Sequence, residues 1–161
     1  MSKIDGIDLS KFSALVSIKK LQESNCAEVP SAKGVYLVIG EKFESPEFLE
    51  KSEGGWFKGK NPSCPIKFLE EKWVRSAKVL YVGKASGQKG LKQRLRQYLQ
   101  FGQGRRVGHR GGRLIWQLKN NKQLFMCWQE VGSADPRHIE SNLIRAFTNV
   151  YGVRPFANLI N

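Results

Sequence analysis

The chain is poor in the residues that staple or metallate small proteins, with three cysteines and two histidines in 161 residues. Cys26, Cys64 and Cys127 are widely spaced and none belongs to a C-x-x-C pair. The odd count argues against a disulfide framework, and with only His109 and His138 to assist, it argues against structural zinc. The thiols are expected to be reduced. No apolar run approaches the ~18 residues that a bilayer span needs, and the first residues, with Asp5 and Asp8, lack a secretory-leader pattern. The expected setting is cytoplasmic, without a membrane partner. Acidic residues are also scarce: 14 stand against 27 Lys and Arg, a net charge of +13.

The position of that charge says more than its size. Residues 78 to 161 hold 15 basic and 3 acidic residues, whereas residues 34 to 77 hold 7 of each. A one-sided field attracts a phosphate backbone, so an intracellular nucleic acid is the expected partner. With 40% apolar residues the length suits one well-buried core. A single domain over 1–161 is expected, and the sequence does not fix the oligomeric state.

Patterning gives a coarse element order. Leu9, Phe12, Leu15, Val16 and Ile18 recur at roughly helical spacing, so 8–23 reads as an amphipathic helix within an N-terminal extension, 1–33, with Asp8 or Ser10 as its cap. Residues 34–39 read as a strand that Gly40 ends. Residues 40–77, with acidic side chains at 41, 44, 47, 50 and 53 and the turn-rich Asn61-Pro62-Ser63-Cys64-Pro65, look like an insertion holding a short helix at 66–75. A second strand follows at 78–83, a basic helix at 90–101, a Gly/Arg loop from Gly104 to Arg113, a helical turn near 114–118 and a third strand at 123–131. Ser133 and Asp135 ahead of Pro136 start a last helix that runs to about Val150. The fold class expected is α/β of the α+β kind: a small, mostly antiparallel three-stranded sheet flanked by helices, with a long insertion between its first two strands.

Two short motifs carry the chemistry. Gly34-Val35-Tyr36 and Tyr81-Val82-Gly83 are near mirror images in apolar runs. In an antiparallel ladder Tyr36 can then face Tyr81 while Gly34 falls opposite Gly83, so that two phenols share one patch. On the last helix, at about 100° per residue, the apolar side chains fill an arc from about 340° to about 140° and Glu140 falls inside it at about 100°. A carboxylate on that face must be protonated, paired with Arg or Lys, or bound to a metal. Mg²⁺ is commonly held by one carboxylate plus substrate phosphate and water.

Taken in order, these residues resemble the GIY-YIG nuclease superfamily over about 34–39 and 78–161. Gly34-Val35-Tyr36 is similar to the first family motif and Tyr81-Val82-Gly83-Lys84-Ala85 to the second. In Leu91-Lys92-Gln93-Arg94-Leu95-Arg96-Gln97-Tyr98, Arg94 matches the catalytic arginine and Tyr98 takes a place where members carry His or Tyr. Glu140 matches the metal-binding glutamate and Asn158 the late asparagine. Members usually keep only about ten residues between the tripeptides, whereas 44 lie between Tyr36 and Tyr81. Closure entropy grows only logarithmically with loop length, so the excursion is compatible with the match.

The resemblance implies a metal-dependent endonuclease that hydrolyses DNA phosphodiesters. Glu140 would hold Mg²⁺ or Mn²⁺ and Arg94 would neutralise phosphate charge. Tyr36 would be the general base or water-positioning group, its phenol lowered from about 10 by Lys84, the metal and Arg94. Tyr81 would orient water or phosphate, with Lys84, Tyr98 and Asn158 completing the catalytic set. Lys84, Lys89, Lys92 and Arg96, and Arg105, Arg106, His109, Arg110 and Arg113 of the loop, are expected to touch nucleic acid. A catalytically silent nucleic-acid-binding module on the same fold is the competing reading, and duplex, branched, damaged and single-stranded DNA all stay open as substrates.

Overall fold

A computed structural model describes residues 3–41, 46–109 and 111–159. In chain order the strands and helices are β1 (Lys3–Ile4), β2 (Ile7–Asp8), β3 (Val16–Ser17), α1 (Ile18–Ser24), β4 (Gly34–Ile39), α2 (Ile66–Lys72), β5 (Val79–Ala85), α3 (Gly90–Gly102), β6 (Phe125–Glu130) and α4 (Pro136–Tyr151). A 3₁₀ turn, Arg113–Gln117, stands where a helical turn is expected.

The sheet is antiparallel throughout, in the order β3-β6-β4-β5. β4 lies inside it because Gly-Val-Tyr-Leu-Val-Ile has no charged side chain to offer solvent, and all six residues are buried. Side chains alternate across it. Tyr36 and Val38 enter a core with α1 and α3, whereas Leu37 and Ile39 enter a second core with Phe147 of α4 and Ile7 of the N-terminal hairpin. The sheet therefore has a helical layer on each face. No helix of the described residues is long and apolar enough to cross a membrane.

The N-terminal reading needs correcting. In place of one helix over 8–23 there is a hairpin, β1-β2, then the short edge strand β3, then a seven-residue helix capped by Ser17, whose hydroxyl accepts from the Lys20 N–H at 3.1 Å. Asp5 and Gly6 both take positive φ, 54° and 81°, the geometry of a tight two-residue hairpin, and Asp-Gly is a favoured pair for it. That turn outweighs the helical spacing downstream. β3 makes the sheet four-stranded rather than three-stranded.

The segment between β4 and β5 leaves the sheet and is tied back by backbone hydrogen bonds, among them Leu49 N–H to the Gln117 carbonyl and Glu53 N–H to the Trp116 carbonyl, and by one buried amide. Gln117 Nε2 donates to the carbonyls of Leu49 and Cys64 at 2.9 and 2.8 Å, and its Oε1 accepts from the Cys64 N–H at 2.9 Å. α4 starts and stops as its sequence says. Asp135 caps it by accepting from the Arg137 N–H, Pro136 opens it, and Gly152 closes it with φ 75°.

Candidate active site

β5 is the edge strand beside β4, and the site forms where the helical layers meet around it. Residues on opposite faces of β5 are brought to one place: Tyr81 points to the α3 side, and Lys84 reaches the α4 side. The Lys84 Nζ lies 3.8 Å from Glu140 Oε1. A cavity of about 500 Å³ opens there, walled by Tyr81, Lys84, Arg94, Glu140, Arg113 and Asn158 among others. Those six come from a strand, two helices, a turn and the C-terminal segment.

The tyrosines do share a face, but the register differs from the expected one by two residues. Tyr36 pairs with Gly83, Val38 with Tyr81, and Gly34 with Ala85. A slip of two preserves the face, which is why the rings still meet, with centroids 6.0 Å apart and planes at 63°. Volume sets the register. A Cβ on residue 83 would lie 2.3 Å from Cζ of Tyr36, so the phenol lies across a glycine that leaves room for it.

Exposure separates the two phenols. Tyr81 lines the cavity, whereas Tyr36 is fully buried behind it, its hydroxyl 3.2 Å from Nε2 of His109. Burial pushes the Tyr36 phenol well above 10, and the opposing field of Arg94 is too small to reverse this. Arg94 alone therefore does not produce the lowering expected of Tyr36. The Tyr81 phenol is likewise pushed up by burial, to about 12, so it keeps its proton near neutral pH.

Glu140 is half-buried, its side chain 19% exposed. Burial raises its carboxyl above the usual value, opposed by Lys84 first, then Arg154 and Arg137. The apolar arc around it is incompletely covered: Phe147 is buried, while Leu143 and Ile144 are half-buried. Of the options read for this carboxylate, pairing with Lys84 is present, at a long distance. Among the described residues no group of three or more His, Cys, Asp or Glu gathers as a metal cage. The donor chemistry fits a divalent cation only in the one-carboxylate form, in which Glu140 would hold it and phosphate and water would complete the shell.

Arg94 is half-buried, on the wall of the cavity, while Arg96 on the other flank of α3 donates through Nε to the Asn25 carbonyl at 2.9 Å. That bond holds Arg96 outside the cavity wall. Tyr98 is also absent from the wall. Fully buried, it donates to the Gly112 carbonyl at 2.9 Å and packs against Tyr36, Tyr81 and Trp116. Asn158 lines the cavity, yet its amide is spent on strand β5: Oδ1 accepts from the Val82 N–H and Nδ2 donates to the Val82 carbonyl, both at 2.9 Å. It closes the open edge of the sheet there.

In the Gly/Arg loop, His109 needs the largest correction. Read as a phosphate contact, it is buried, with its ring 4.7 Å from that of Tyr98, and burial lowers it to about 3, so it is neutral. The aromatic cluster leaves a slot that imidazole fills. Arg113 reaches the cavity, Arg105 and Arg106 are exposed outside its wall, and Arg110 lies outside the described residues. Lys89 is exposed and Lys92 half-buried at the start of α3. Lys60 and Arg154 also line the cavity. The basic second half hinted at Arg154. Nothing signalled Lys60, which comes from the charge-balanced segment 40–77 on a tight turn, with Lys58 and Gly59 at φ 53° and 73°.

Comparison of the chain with family models, with curated proteins and with solved structures gave no match.

Proposed function

We propose that the chain is a metal-dependent endonuclease hydrolysing DNA phosphodiester bonds at a GIY-YIG-type site. The observation that carries the reading is one cavity joining a phenol, a lysine, an arginine and a half-buried carboxylate, Tyr81, Lys84, Arg94 and Glu140, from three separate elements. Three further cationic side chains of its wall suit a polyanion: Lys60, Arg113 and Arg154.

In this reading Arg94 grips the phosphate through its planar fork and Lys84 adds a mobile point charge. Tyr81, still protonated at neutral pH, donates a hydrogen bond that orients phosphate or water. Tyr36 acts through Tyr81 rather than on water itself. A Mg²⁺ or Mn²⁺ ion held by Glu140 supplies polarisation of the phosphate and a more acidic water when bound. Hydrolysis joins the water oxygen to phosphorus and breaks one phosphorus–oxygen ester bond. One water proton ends on the departing oxygen and the other is released.

Purified protein incubated with supercoiled, linear, branched and single-stranded DNA, with Mg²⁺, Mn²⁺ or EDTA, tests this. Cutting is expected with metal and lost with EDTA, and also lost, with DNA binding retained, in Glu140→Gln and Arg94→Ala. Binding without metal-stimulated cutting on any substrate would establish the silent module instead. Cutting that survives Glu140→Gln unchanged would remove this site from the chemistry.

A further inference from the structure

A second cavity, of about 290 Å³, shares Lys84 and Arg94 with the first and continues along α3, walled by Ser86, Gly87, Gly90, Gln93 and Gln97. Its chemistry is different. The first cavity is ringed by charge, whereas beyond Lys84 and Arg94 the second offers one hydroxyl and two carboxamides. Gln93 and Gln97 are one helical turn apart and so lie on the same flank of α3. Neither amide makes a hydrogen bond to another described residue, and Gly87 leaves open space beside them.

The floor is rigid. The Leu91 and Lys92 N–H groups donate to the carbonyls of Ala32 and Pro30 at 2.8 and 2.9 Å, and a Cβ on Gly90 would lie 2.5 Å from the Ala32 carbonyl oxygen. The two amides are therefore presented on a fixed surface, and their unfilled donors and acceptors line a space of about 290 Å³. Phosphate-gripping groups next to neutral amides is the arrangement in which backbone contacts position a strand and a carboxamide reads a base edge. Gln pairs bidentately with adenine through N6 and N7.

We infer that this second cavity is a nucleotide subsite of the same enzyme, in which Gln93 and Gln97 read a purine, adenine best, next to the scissile phosphate gripped by Arg94 and Lys84. The inference rests on the nuclease reading and adds a specificity determinant to it.

The test is to cut plasmid DNA of mixed sequence with the full chain and Mn²⁺, and to sequence the cut ends. The wild type is expected to favour adenine over pyrimidine about tenfold at one position adjoining the cut, in line with one good amide–base contact. Gln93→Leu/Gln97→Leu is expected to cut with that preference reduced to about twofold or less, because leucine keeps the bulk and loses the hydrogen bonds. Gln93→Ala, at an exposed helix position, repeats the measurement should the double variant not fold. Cutting with the same base preference in wild type and variants overturns the subsite and leaves the nuclease standing. No cutting by the wild type overturns both.

Discussion

Gly83→Ala tests the placement of Tyr36 directly. The added methyl would lie 2.3 Å from Cζ, 2.6 Å from Oη and 2.7 Å from Cε2 of Tyr36, far inside van der Waals contact. The ring has nowhere to go, being fully buried and flanked by Tyr81 and Tyr98. Overpacking of this kind costs about 1–3 kcal/mol. Against it stands the entropic gain of replacing glycine in a strand interior, about 0.5–1 kcal/mol. The net expectation is a loss of about 1–2 kcal/mol, or roughly 2–8 °C in Tm for a domain of this size. Gly87→Ala is the control, since its Cβ would meet nothing within 4 Å. Denaturant unfolding of both, and of Tyr36→Leu alone and combined with Gly83→Ala, completes a cycle. Tyr36→Leu opens a void that the new methyl partly fills, so the double variant should lose less than the sum of the singles by at least about 0.5 kcal/mol. Additive losses, or a Gly83→Ala protein as stable as the control, would refute the two-residue register.

Three further outcomes follow from the same geometry. Glu140 has a raised carboxyl in the folded chain, so its contribution to stability is complete below the unfolded value of about 4.5 and is lost as pH rises through the folded one. Glu140→Gln should therefore be more stable than wild type at pH 7 and no more stable at pH 3.5, by urea unfolding; a variant less stable at pH 7 would contradict the burial argument. His109, lowered to about 3, is the reverse case: stability falls as pH drops from about 6.5 toward 3, by up to about 1.4 kcal/mol per unit. His109→Phe should flatten that part of the stability curve, and an unchanged slope would show that the imidazole is not buried. Gln117→Leu strands two carbonyls and one N–H, at about 1–3 kcal/mol for each group left without a partner. It should also speed limited proteolysis within 46–64, whereas an unchanged digestion pattern would mean that the amide does not hold this segment.

The parts legible in the sequence are those fixed by local chemistry. Asp135-Pro136 and Gly152 bracket α4 because a cap, a fixed φ and a left-handed exit each need those residue types. β4 is legible because an unbroken run of apolar residues suits a strand covered on both faces. The register was not, since a shift of two leaves every side chain on its expected face and only the volume of one ring against one glycine decides between the alternatives. His109 was misread for a related reason. Glycines and arginines around it describe a solvated loop, and the slot that takes its ring exists only once Tyr36 and Tyr98, distant in sequence, are packed together.

Asn158 shows how far a residue's type can mislead about its work. Spent on both polar groups of Val82, it adds what amounts to one more rung of sheet at the exposed edge, as Asp5 does further along by accepting from the Lys78 and Val79 N–H groups at 2.7 Å. The two devices hold β5 straight from opposite ends of the chain. Tyr81 and Lys84 lie on that strand, one facing each helical layer, so the distance between phenol, ammonium and the Glu140 carboxylate depends on an edge that would otherwise fray. A side chain whose hydrogen bonds go to the strand can thus matter to the cavity through position alone. Asn158→Ala should accordingly weaken protection of the Val82 amide in hydrogen exchange before it alters any group that touches DNA, and normal exchange at Val82 with lost cutting would instead make the amide a direct participant.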